Sequence, residues 1–195
     1  MTRLFMPLLT LGCLLTTSSV LANTTKPAPA NSSKHTTAKG HSHDPAHSHK
    51  AHVHGKALLT LALDKQQLEA ALEAPAESIT GFEHAPRTAD HQQRILMALV
   101  NLKQKPLQFN TEAGCKATDT KVDNPFAGGG HQEHRDFDAR YRFECATPGK
   151  LRSLDASALF RAFPRLKTLN VEYLLPGGQG STTLTPARPR AELRQ

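Results

Sequence analysis

From Val53 onward apolar and polar positions alternate along much of the chain, and the alternation predicts a sheet. Ala57, Leu59, Leu61 and Leu63 alternate with Lys56, Leu58, Thr60 and Ala62, a strand whose second face is also fairly apolar. Asp64 to Gln66 makes a turn. The next stretch, QLEAALEAPA, fits two elements. Its residue types and the Leu68/Leu72 spacing suit a helix, whereas Leu68, Ala70, Leu72 and Ala74 suit a strand hairpinned to the first. Pro75 ends either one. Thr88 to Lys103 reads as a helix, capped by Thr88, with an apolar stripe of Ile95, Leu96, Leu99 and Leu102.

Two further strands are predicted at Cys115 to Val122 and Phe137 to Cys145, around the loop DNPFAGGGHQEH. In the second, Phe137, Ala139, Tyr141 and Phe143 alternate with polar residues. Asp155 caps a short helix carrying Leu159, Phe160 and Phe163, stopped by Pro164. Leu166 to Leu175 is a strand, PGGQG a turn, and Thr182 to Thr185 the returning partner. PARPRAELRQ is a proline-interrupted tail or an edge strand. The sum is an α+β domain: two helices packed on a mainly antiparallel sheet.

The first 51 residues follow no such pattern. Arg3, the apolar run Leu4 to Leu15 and the small residues of Val20-Leu21-Ala22 read as a signal peptide cleaved after Ala22. A lipoprotein reading on Cys13 fits less well, because apolar and small residues continue past it. From Asn23 to Ala51 no apolar side chain exceeds Ala, so the segment cannot offset its ordering entropy and is expected to be a disordered tail. The expected organisation is therefore signal peptide 1–22, His-rich tail 23–51 and one domain over 52–195. Export to an oxidising compartment outside the cytosol is expected.

Export changes how the cysteines read. Cys13 leaves with the signal, and Cys115 and Cys145 pair in an oxidising compartment, bracing the ends of the central hairpin. Closing a loop of about 30 residues contributes roughly 3.5 kcal/mol on the chain-entropy model. A zinc site on the two thiolates is disfavoured for the same reason. The net charge of +7 would suggest nucleic acid in a cytosolic protein. Here the basic residues are scattered, Trp is absent and there are two Tyr, so nothing forms a platform for bases. After the signal no stretch is long and apolar enough to span a bilayer.

The candidate chemistry lies in the histidines. Six of the eleven fall between His41 and Gly55, in three H-x-H units: His41/His43, His47/His49 and His52/His54. In extended backbone, residues two apart project to one side, so each unit offers two imidazole nitrogens to one divalent ion. Two units, or one with Asp44, complete a tetrahedral shell. A disordered tract pays for its own ordering on binding, which suits capture and hand-over. His52 and His54 stand at the lip of the first strand, before Gly55. Glu83 and His84 lie on the Pro-bounded loop GFEHAP, and His131 and His134 in HQEH at the tip of the central hairpin. Catalysis finds no support: H-E-x-x-H, nucleophile elbow, phosphate loop and kinase motifs are all missing.

The segments AHVHGKALLTLAL, GFEHAPRTADHQ, AGCKA with YRFEC, LFRAFPRLKTLNVEYLLPGGQ and TLTPARPRAEL resemble the ZrgA family of bacterial periplasmic proteins, over roughly Ala51 to Leu193. The resemblance implies a role in zinc acquisition beside the periplasmic component of a zinc ABC importer. It maps His52 and His54 onto the family's H-x-H-G, Glu83 and His84 onto its G-F-E-H-x-P, and Cys115 and Cys145 onto its cysteine pair. It also implies a strand at Gln67 to Ala74. The family's central loop, often long and rich in His and Asp, is here reduced to HQEH. The resulting expectation is a zinc-binding accessory protein without turnover. Its competitors are a buffer or detoxifier for zinc or copper, and a structural adaptor with a spacer tail.

Overall fold

The computed structural model describes residues 53–104, 106–128 and 135–194. The expected signal peptide and tail, with His41, His43, His47 and His49, lie outside them, as do His52, His131 and His134.

β1 (Lys56–Asp64) and β2 (Gln67–Pro75) form an antiparallel hairpin from Asp64↔Gln67 to Leu58↔Glu73. Lys65, in the two-residue turn, takes a positive φ of 54°. Pro75 closes β2, and α1 (Ala76–Thr80) follows, a five-residue helix that periodicity alone did not predict. α2 (Ala89–Lys103) is capped as expected: the Thr88 side chain accepts from the His91 amide at 3.2 Å. Short β3 (Gln108–Phe109) leads to β4 (Cys115–Val122) and β5 (Asp136–Cys145), the predicted hairpin. β6 (Ser153–Asp155), α3 (Ser157–Ala162), β7 (Thr168–Leu175), β8 (Gly178–Leu184) and β9 (Arg190–Glu192) complete the chain.

Among the described residues the main sheet has six strands in the order β4-β5-β2-β1-β7-β8, all antiparallel neighbours except the parallel β1–β7 pair. A second, three-stranded sheet runs β3-β6-β9. The proline-interrupted tail thus becomes an edge strand. Among the described residues three α-helices, not two, accompany the sheets.

Among the described residues, only one face of the main sheet is covered. Leu59, Leu61, Leu68, Leu72, Phe137, Tyr141, Leu169 and Val171 point inward and are essentially without solvent exposure. Thr60, Ala62, Glu69, Arg142 and Leu174 point to solvent, as one-sided antiparallel sheets allow. The second face of β1, apolar in sequence, is therefore not core: Leu58 is half-buried, and Thr60 and Ala62 are exposed. Helix α2 buries Ile95, Ala98 and Leu102 against this core. Leu96, expected in the buried stripe, is 63% exposed instead. Near the helix end the buried Tyr141 hydroxyl donates to the Leu102 carbonyl at 3.0 Å. It occupies an acceptor that the last helical turn leaves open.

β4 and β5 place Cys115 and Cys145 directly opposite one another, and the two form the expected disulfide. Among the described residues no helix is long and apolar enough to cross a membrane.

Candidate metal site

The lip of β1, the loop after α1 and the first turn of α2 converge at one end of the domain. Gly55 sets the first of these in place. It has φ +79°, its amide donates to Ser78 Oγ at 2.8 Å, and its carbonyl accepts from the Lys167 and Thr168 amides at 2.8 and 2.9 Å. A Cβ there would meet Lys167 Cγ at 3.3 Å, so it is the protein's own backbone and side chains that approach closely, together with the left-handed φ, that require glycine. Gly81, at φ +91°, ends α1, and a Cβ on it would lie 2.9 Å from Arg165 Nε. That turn directs Phe82 inward, leaves Glu83 partly buried and turns His84 toward solvent.

Two pairs of polar side chains result. His54 Nε2 lies 3.0 Å from Glu83 Oε1. The His54 ring is well exposed at 59%, while the Glu83 side chain is 18% exposed. The second pair is His84 and His91, with ring centroids 5.1 Å apart. Both lie against Phe82, at 4.4 Å for His91 and 5.3 Å for His84, with interplanar angles of 25° and 27°. Phe82 packs in turn on Phe126 at 5.4 Å. The expected ligands His54, Glu83 and His84 thus occupy one end of the fold. Among the described residues they do not form a group of three or more metal-ligating side chains.

The hydrogen bonds assign ring tautomers. His54 donates through Nε2–H to the carboxylate, which leaves the Nδ1 lone pair free. Carboxylate-held imidazoles of this kind are common metal ligands, the carboxylate fixing orientation and raising basicity. Glu83 therefore stands as the group that orients His54. His84 Nδ1 donates to the Ala85 carbonyl at 2.9 Å, leaving Nε2 free. His91 is set the other way: its Nδ1 accepts from the Arg87 amide at 3.3 Å, so Nε2 carries the proton. Each of these free imidazole nitrogens is a donor of the type that zinc and other nitrogen-preferring divalent ions take.

His91 was not among the expected site residues. In sequence it lies in TADHQQ, which reads as the polar start of a helix. Its placement three residues after the Thr88 cap, on the turn next to the GFEH loop, is the signal that could have marked it.

The model of the ZrgA family zinc uptake protein matches residues 51–193. The chain belongs to the ZrgA family. Comparison with curated proteins gives no match. The ZrgA match covers all the strands and helices described above, the disulfide, and His54, Glu83, His84 and His91. His41, His43, His47 and His49 lie before the matched residues, and zinc uptake is the role named for the family.

Proposed function

We propose that this protein is a periplasmic zinc-binding accessory of zinc uptake, delivering the ion to the periplasmic component of an ABC importer, without enzymatic turnover. The observation that carries this reading is the pairing of His54 with Glu83: an exposed imidazole held by a carboxylate, its second nitrogen free, inside a zinc-uptake domain. His84 supplies a second free nitrogen from the adjacent residue. Completion of the shell draws on His52, His131 and His134, the expected ligands outside the described residues, or on water. The H-x-H units of the tail supply further capture sites, His41 with His43 and His47 with His49.

Such a site is open and exposed, so exchange is fast, as hand-over demands. Imidazole must be neutral to bind, so protons compete with the ion. The untagged mature chain, titrated with Zn²⁺ by calorimetry, is expected to bind clearly more weakly at about pH 5.5 than at about pH 7.5, on either side of the ordinary imidazole value. Equal affinity at both, or no binding, overturns the proposal. Growth under zinc limitation tests the uptake role, and a strain lacking the protein is expected to grow more slowly only there.

A further inference from the structure

We propose that the free edge of β8 pairs with the β8 edge of a second copy of this chain, joining two six-stranded sheets across a two-fold axis. The two edges of the main sheet are built differently. β4 carries a register shift between Ala117 and Asp119 and two lysines (Lys116 and Lys121). Bulges, charges and cover are the means by which sheets keep an edge from pairing. β8, GQGSTTL, has no charged residue and no proline, and its register with β7 is unbroken from Leu175↔Gly178 to Leu169↔Leu184.

The register also fixes which backbone groups face outward. The two-residue loop Pro176–Gly177 makes Leu175↔Gly178 a hydrogen-bonded pair. Alternation then turns the amides and carbonyls of Gly178, Gly180, Thr182 and Leu184 toward β7. Those of Gln179, Ser181 and Thr183 point away from it. Among the described residues, no backbone hydrogen bond outside the β7–β8 ladder reaches these three.

The strand itself argues for a second copy as the occupant. An antiparallel pairing centred on Ser181 sets Ser181 against Ser181 and Gln179 against Thr183. The outward groups of one strand then meet those of the other in register, as hydrogen-bonded pairs. No charge faces a charge within the paired strands, although the whole chain carries +7. The same patch serves both partners, as a closed two-fold dimer requires. Three residue pairs make a small interface, below the roughly 1,200 Å² of a stable specific complex, so the dimer is weak and concentration-dependent.

Sedimentation velocity of the disulfide-intact mature chain, from low to high micromolar, tests this. The weight-average mass is expected to rise toward about twice the monomer value. Ser181→Pro removes one outward amide hydrogen and no ladder bond, and is expected to abolish the rise with far-UV circular dichroism unchanged. Should the proline variant misfold, Ser181→Lys places two ammonium groups together on the axis and is expected to give the same loss. A monomer at every concentration overturns the proposal. So does a dimer that survives both variants but is lost on Leu96→Glu, which would place the interface on the exposed side of α2.

Discussion

Which nitrogen of an imidazole is free depends on what holds the other. His84 and His91 share one face of Phe82's surroundings, yet their hydrogen bonds prepare only His84 to bind through Nε2. His91 must first exchange tautomers and give up its bond from the Arg87 amide. His84→Ala is therefore expected to lower zinc affinity more than His91→Ala, read by calorimetry on the two variants. Glu83→Gln keeps the shape of the side chain but weakens its hold on His54, and a loss of roughly tenfold is expected, as for other partners of metal-bound histidines. A second residue carries a pH signature. Burial, with Glu73, Asp136 and Asp123 nearby, holds the Asp138 carboxyl above the ordinary carboxylate range. The fold thus prefers the protonated form, whose stabilisation is full below the unfolded value and is lost as pH rises through the folded one. Asp138→Asn is expected to raise the neutral-pH melting temperature by a gain below about 1 kcal/mol, the group being half-exposed. In acid the gain should vanish. His54, Glu83 and His84 stood out in the sequence as candidates because H-x-H-G and G-F-E-H put ligand types beside glycine and proline. His91 was not, since its place in the site depends on ring contacts with Phe82 that no local pattern encodes.

At the scale of elements, period-two alternation found β1 and β5, because each buries one face only. It left β2 open between strand and helix. The deciding fact is tertiary: Leu68, Ala70, Leu72 and Ala74 are buried between β1 and β5. α1 escaped notice because five residues carry too little period to read, and β8 starts inside the glycine turn that the sequence assigned to a loop. The disulfide was legible from the cysteine count together with the expected export. It ties the outer end of β4 to that of β5, closing a chain separation of 30 residues. The hairpin packs on the site from its other end, where Phe126 meets both Phe82 and Phe137. Replacing both cysteines by Ala is expected to cost about 3 kcal/mol of stability in a denaturant titration, from the loop entropy returned to the unfolded chain. Zinc affinity, measured under folding conditions, should change little, because the disulfide and Phe126 sit at opposite ends of the hairpin.

On the proposed function the whole molecule joins two kinds of candidate ligand that obey different physics. On the proposed reading, one hydrogen bond already orients each of His54 and His84 before an ion arrives, so binding there would carry little ordering cost. The residues before the domain contain His41, His43, His47 and His49 in a composition without large apolar side chains, and any ion they take must be offset against the ordering of that segment. Affinity should therefore divide into a tighter class set by the domain and a weaker class set by the tail. Deleting residues 23–50 from the mature chain removes the weaker class alone. Calorimetry with Zn²⁺ is expected to give a lower stoichiometry and an unchanged tightest dissociation constant, with the thermal unfolding midpoint of the metal-free protein also unchanged. If the tightest affinity disappears with the tail, the domain's free nitrogens do not form the principal site, and capture belongs to the tail.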